Sequence, residues 1–261
     1  MSEQGRYTRK RIGRIVDDAL RRAGVLGVVP TPFDSVAAAA GLRVEPMEVF
    51  AHADDRPLLG ALWFEERTLF LEQGQSRVRR RFTQAHELMH ALCPWHRAVL
   101  RTDTATELFG PTRDAIEAEA NTGAALLVFG GSAFAPGPEP LTIADALSVA
   151  SRHVASVHAT LHHCVQADRG MSALVVAGRF RQRDGSLPVW RSVESPSFRR
   201  RFGSARALVG DVIAAGSPLS ALAAHARTSS EAPTATVRLG AQRLAAQAHD
   251  NRHAVLVLLR A

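Results

Sequence analysis

The sequence predicts a mixed α+β protein in three parts, and three observations carry that reading. Helical and strand-like patterns alternate through the first half of the chain. A Pro/Gly-rich string, SAFAPGPEP at residues 132–140, then interrupts them. Beyond residue 170 the pattern changes to strand-like runs with short helices among them. The expected boundaries are an α+β domain at 1–138, a helical piece at 139–169 and a smaller α/β domain at 170–261. With 261 residues, the chain can bury a real core in each larger part.

The elements follow in order. Residues 10–24 place Ile12, Ile15, Val16, Ala19, Leu20 and Ala23 close to helical spacing. Thr31-Pro32-Phe33-Asp34 punctuates, and Asp34 is expected to cap a short helix to Ala40, ended by Gly41. Three strand-like runs follow at Leu42–Phe50, Leu59–Phe64 and Thr68–Leu71, with Glu65-Glu66-Arg67 as a hairpin turn. A helix is expected from Ser76 to Leu92, stopped by Pro94. Another is expected from Thr112 to Phe129, with Pro111 near its start and Gly130-Gly131 after its end. Short helices at Thr142–Ala150 and His153–Val165 come next. In the last part SALVVAGRF, LPVWRSV, TATVRL and AVLVLLR read as strands, and Ser204–Ala214 and Leu219–Ala224 as helices.

Composition narrows the function classes. Hydrophobic residues at 46% and charged residues at 22% describe an ordinary globular protein, and no apolar run is long enough to span a membrane. The charged N-terminus lacks the apolar stretch of a secretory signal, and Glu3, Asp17 and Asp18 argue against a transit peptide. Two cysteines, Cys93 and Cys164, exclude a disulfide scaffold and fit a reducing cytoplasm. A monomer is expected. The net charge of +7, carried mostly by Arg, suits acidic partners such as nucleic acid or an acidic protein patch, although a GC-rich codon bias also enriches Arg and Ala.

The chemistry concentrates in Arg80-Arg81-Phe82-Thr83-Gln84-Ala85-His86-Glu87-Leu88-Met89-His90. On a helix, His86 and His90 project from one face about a turn apart, so two imidazoles can reach one tetrahedral zinc at about 2.0–2.1 Å. Glu87 lies to the side, where a carboxylate acts as general base on water rather than as a ligand. Cys93, three residues past His90, is either a further ligand or a small buried residue, and the latter is the commoner fate of a free Cys.

A catalytic zinc usually takes a third protein ligand. The later helix offers Glu117-Ala118-Glu119-Ala120-Asn121. Glu117 and Asn121 share a face, and Glu117 lies nearer than Glu119 to the small apolar side formed by Ile116, Ala120, Gly123, Ala124 and Leu127. An inward carboxylate needs a charged partner or a metal. Glu117 is therefore read as the third ligand, with Asn121 orienting a ligand from behind. Glu119 is its rival, and Glu107 and Asp114 lack helical support. An oxyanion-stabilising group is expected but not named: the only tyrosine, Tyr7, is far away in sequence, and nothing commits His96 to that part.

RRRFTQAHELMH followed by EAEANTGAALL resembles the ImmA/IrrE family of zinc metallopeptidases, whose members show RF-x-x-AHE-x-GH and then E-x-E-A-N-x-F-A-x-x-LLMP. Arg81-Phe82, Ala85-His86-Glu87, His90, Glu117, Glu119-Ala120-Asn121, Ala124 and Leu127 match. Met89 replaces the usual Gly, Gly123 the usual Phe, Val128 the usual Leu and Gly130 the usual Pro, and none of these is a presumed ligand. The resemblance implies a zincin-like peptidase domain, then a helix-turn-helix-like region, then a GAF-like sensor domain. It implies one zinc, with Mn or Fe able to occupy the same donors. It further implies cleavage of a cognate XRE-type (DdrO-like) repressor, which releases DNA-repair genes in the response to radiation and desiccation.

The remaining features are weighed on their residues. Leu141–Ser151 and the helix after it resemble a helix-turn-helix with Ser151 as the second cap, yet Arg152, His153, Ser156 and His158 are a thin set for reading base edges. A compact helical bridge is the other reading. His162, His163 and Cys164 point about 100° apart in succession and are read as structural. Arg77, Arg79, Arg80 and Arg81 form one basic cluster and Arg199, Arg200 and Arg201 another, either of which could dock an acidic partner or a phosphate backbone.

Overall fold

The computed structural model describes residues 3–47, 58–100, 111–137 and 140–261, apart from the side chains of 3–8, 98–100 and 111–112. Two compact units emerge: residues to Phe134 with Arg152–Ala155, and Ala135–Ser151 with Ser156–Ala261.

In the first unit, α1 (Glu3–Arg22) buries Ile12, Val16, Ala19 and Leu20, an i, i+4, i+7, i+8 stripe, and packs on α5. α2 (Phe33–Ala39) ends in a Schellman motif. Leu42 N–H bonds Ala37 O, Gly41 N–H bonds Ala38 O, and Gly41 takes φ +68°, which favours glycine. Asp34 does not cap this helix. Pro32 holds the cap position without a side-chain bond, and Asp34 Oδ1 instead accepts from Gln84 Nε2 at 2.7 Å.

Three strands follow: β1 (Arg43–Met47), β2 (Gly60–Trp63) and β3 (Thr68–Glu72). Residues 48–50 of the first predicted run lie outside the described residues. β3 is central, parallel to β1 and antiparallel to β2, with the turn where Glu65-Glu66-Arg67 predicts it. The centre explains why Leu69 and Leu71 are fully buried, and the edge explains why β1 tolerates Pro46. α3 (Arg77–Leu92) is capped by Ser76 Oγ, which accepts from Arg79 N–H, and it packs on β2, β3 and α5. Pro94 ends α3 and opens α4 (Pro94–Leu100). α5 (Pro111–Val128) packs on α3 and is followed by Gly130 and Gly131 at positive φ.

α6 (Ile143–His153) runs longer than predicted. Ser151, Arg152 and His153 lie within it, and the cap of α7 (Val157–Ala167) is Ser156, whose Oγ accepts from Ala159 N–H at 3.1 Å. Ser151 therefore starts no second helix. His153 Nδ1 bonds Val128 O at 3.0 Å.

The second unit is built on a six-stranded antiparallel sheet of β4 (Ser172–Gly178), β5 (Leu187–Glu194), β6 (Val212–Ile213), β7 (Thr234–Leu239), β8 (Gln242–Asp250) and β9 (Ala254–Arg260), in the order β6-β5-β4-β9-β8-β7. α7 packs on β4 and β5. Ala173, Val175, Val257 and Leu259 share a core with residues from α8 (Pro196–Phe202), α9 (Ala205–Val209) and α10 (Pro218–His225). β4 and β9 are buried along almost their whole length, which is why their apolar runs are nearly continuous. The helix predicted to Ala214 stops at Val209, because Gly210 takes φ +92° and the chain then enters β6. No helix among the described residues is long and apolar enough to cross a membrane.

Candidate metal centre

The site sits where α3 and α5 pack together. His86 Nε2 and His90 Nε2 are 3.1 Å apart. Glu117 Oε2 lies 3.2 Å from the first and Oε1 lies 3.8 Å from the second. Donor atoms of all three residues fall within 4.8 Å of one another, and among the described residues they form the one such group. A tetrahedral ion with arms of about 2.0–2.1 Å requires donor–donor edges of about 3.3 Å, so two imidazoles and a carboxylate at these spacings fit zinc.

The protons agree with that fit. His86 Nδ1 lies 3.2 Å from Asn121 Oδ1, which can only accept, so His86 keeps its proton on Nδ1 and presents a bare Nε2. Burial, then the neighbouring His86 and His96, push His90 down to about 3, which keeps the ring neutral as ligation requires. The lone pair of His86, a neutral His90 ring and a carboxylate thus converge, a donor set suited to a cation.

Glu87 is the neighbour of this cluster. Burial, reinforced by the charge of Glu117, raises its carboxyl to about 7, and a bound cation would draw it back down. Among the described residues its carboxylate has no hydrogen-bond or ion-pair partner. It lies against β2: a Cβ at Gly60 would stand 2.6 Å from Thr83 Cγ2, 3.1 Å from Glu87 Cγ and 3.4 Å from its Oε1. Thr83 Oγ donates to Gln75 Oε1 and Gln75 Nε2 to Leu59 O, which ties the start of β2 to α3. β2 is an edge of the three-stranded sheet among the described residues.

The other candidates separate from the cluster. Glu119 turns away from Glu117 and accepts from Trp95 Nε1 at 2.7 Å and from His96 Nε2 at 3.1 Å. His96 is fully buried behind His90, with 3.1 Å between their Nδ1 atoms, so it faces no substrate. Sequence reasoning passed over this arrangement; the surviving signal was a third His soon after Pro94. Cys93 is buried, its thiol is pushed up to about 12 by burial first and Glu119 second, and it is not among the converging donors. Asp114 is exposed, and Glu107 and the Tyr7 side chain lie outside the described residues. Of the basic clusters, Arg81 turns inward to Thr31 O and stacks on Phe33, and Arg199 pairs with buried Glu194 at 2.7 Å.

Two departures from the family pattern explain each other. A Cβ at Gly123 would overlap the Met89 side chain, with Cγ at 2.6 Å. The bulk that the pattern places on α5 as Phe is supplied here from α3 by Met89.

Residues 40–164 match the model of the IrrE N-terminal-like domain, peptidase family M78. Among solved structures, a Mycobacterium tuberculosis transcriptional regulator shares the fold at 12% identity and a TM-score of 0.60, covering 95% of this chain and 86% of that one. No curated protein matches the sequence. Through its residues 40–164 the chain carries an IrrE N-terminal-like domain.

Proposed function

We propose that this protein is a zinc-dependent, site-specific endopeptidase that cleaves a cognate XRE-type, DdrO-like repressor and so induces DNA-repair genes under radiation or desiccation stress. The observation that carries the reading is the convergence of His86, His90 and Glu117 beside Glu87, whose carboxylate has no partner among the described residues, inside an IrrE-like domain. His86, His90 and Glu117 would hold the metal. When bound, zinc supplies a Lewis acid for the scissile carbonyl and lowers the pKa of water.

Glu87 does the proton work. Its carboxylate takes a proton from the attacking water and delivers it to the leaving amine nitrogen. Asn121 keeps His86 oriented. Among the described residues β2 is an edge strand beside Glu87, so an extended substrate segment can add to it through main-chain hydrogen bonds. That feature favours a polypeptide over a small molecule. The same reading divides the chain into a peptidase part at 1–138, a helical part at 139–169 and a GAF-like sensor at 170–261. The six-stranded sheet with helices packed on it supports the last of these.

Co-expression with candidate XRE-type repressors tests the proposal. Wild type should yield a shortened repressor and Glu87→Gln should not, while still binding zinc. Cleavage by Glu87→Gln would sink the general-base role, and an intact repressor with every candidate would sink the substrate.

A DNA-binding regulator with a structural metal site is the second reading, favoured by the name of the structural neighbour and by the charge of +7. Against it, α7 (VHATLHHCVQA) carries no Arg, Lys or Asn and one Gln at its end. Salt-sensitive, sequence-specific binding of duplex DNA by Glu87→Gln would favour this reading.

A further inference from the structure

We infer that His96 and Glu119 are positioning residues of the metal centre, holding the His90 ring in the tautomer that aims a bare Nε2 at Glu117 and His86. The inference rests on the reading of those three residues as the metal's donors and adds a layer behind them.

Glu119 Oε2 is 3.1 Å from His96 Nε2, and an ionised carboxylate only accepts. His96 therefore carries its proton on Nε2. Its Nδ1 is then a bare acceptor, and that atom lies 3.1 Å from His90 Nδ1. With His96 Nδ1 bare, a hydrogen bond at this contact needs its proton on His90 Nδ1. A neutral His90 protonated there has its lone pair on Nε2, the atom 3.1 Å from His86 Nε2 and 3.8 Å from Glu117 Oε1. One carboxylate thus sets the tautomer of two rings in series.

The surroundings fix each member. Trp95 Nε1 donates to the same Glu119 oxygen at 2.7 Å, and Arg11 stacks on the Trp95 ring at 3.6 Å. His96 is fully buried, and its backbone N–H bonds back to Cys93 O across the break that Pro94 makes after α3. On α5, Glu119 lies about 200° around from Glu117, so two carboxylates two residues apart serve different layers of one site. Partners of this kind raise the basicity of a metal-bound imidazole and fix its orientation.

The test uses the full chain and zinc alone, with affinity read by competition against a chromophoric chelator. His96→Phe keeps a ring and removes both nitrogens, and should lower zinc affinity about 10- to 100-fold with an unchanged far-UV spectrum. Glu119→Ala should fall likewise, and Glu119→Gln, which keeps an acceptor oxygen, should recover most of the loss. Trp95→Phe, which removes only the second donor to Glu119, should stay near wild type. Imidazole ¹⁵N spectra of the wild type, which need no variant to fold, should show His96 protonated at Nε2 and His90 at Nδ1. His96 protonated at Nδ1, or wild-type zinc affinity in both His96→Phe and Glu119→Ala, would overturn the inference and leave the donor set standing. Wild-type zinc affinity in His90→Ala would overturn the donor set, and the layer behind it as well.

Discussion

Buried polar groups are handled differently in the two units. In the second, Glu194 sits with a fully buried side chain and accepts from Ser192 Oγ, Ala205 N–H and Arg199 Nη2, so every acceptor faces a donor. Asp168 and Ser195 are likewise satisfied by Gly170, Ser172 and Phe198. In the first unit His86, His90 and Glu117 aim acceptors at one another. Paired buried polar groups specify a fold; convergent acceptors specify a place for a cation. The difference locates the chemistry better than burial alone, since both units bury polar atoms.

Four measurements can break or sharpen this contrast. Phe198, fully buried under the six-stranded sheet, should cost about 3–5 kcal/mol when replaced by Ala in denaturant unfolding, with zinc affinity unchanged. A parallel loss of zinc would mean that the donors depend on the second core. Glu117→Ala should lower zinc affinity by about two to three orders of magnitude, as expected when one of a few donors is lost, and chelator competition reads it.

The third is a pH dependence. Glu87 folds with its carboxyl at about 7 against an ordinary 4.5, so the folded metal-free protein holds that proton more tightly than the unfolded chain. Stability from this group is present below pH 4.5 and is lost as pH rises to about 7, on the order of 2–3 kcal/mol. The Tm of metal-free Glu87→Gln should therefore gain on wild type across that window. A constant gap would show that the carboxyl is not perturbed. The smallest effect is expected from Gly123→Ala, about 1–2 kcal/mol through its collision with Met89. Met89→Ala in the same chain should recover part of it, and simple additivity in that double-mutant cycle would dismiss the exchange of bulk between α3 and α5.

Much of the site was legible because its spacing is helical. His86, His90, Glu117 and Asn121 are each four residues from a partner, and periodicity places such pairs on one face. The layer of His96, Trp95 and Glu119 was not, because it depends on the direction the chain takes after Pro94, a tertiary fact. In the fold, apolar runs such as SALVVAG announced themselves. β8 (QRLAAQAHD) did not: Ala and Gln are weak strand formers, and only the alternation of buried Leu244, Ala246 and Ala248 marks it. α8 was hidden by its three arginines, although Ser195-Pro196 is a cap followed by a first-turn proline. Asp34 misled as a cap because its carboxylate found Gln84, fifty residues on.

The chemistry of the three donors also bears on competition in a cell where other divalent ions are plentiful. Calcium seeks six to eight oxygens at about 2.3–2.6 Å, and magnesium a near-octahedral oxygen shell from which it is reluctant to shed water. Two ring nitrogens and one carboxylate offer too little oxygen for either. A donor set rich in nitrogen suits a nitrogen-binding ion better than the alkaline-earth ions, and that preference would be set by α3 and α5 alone.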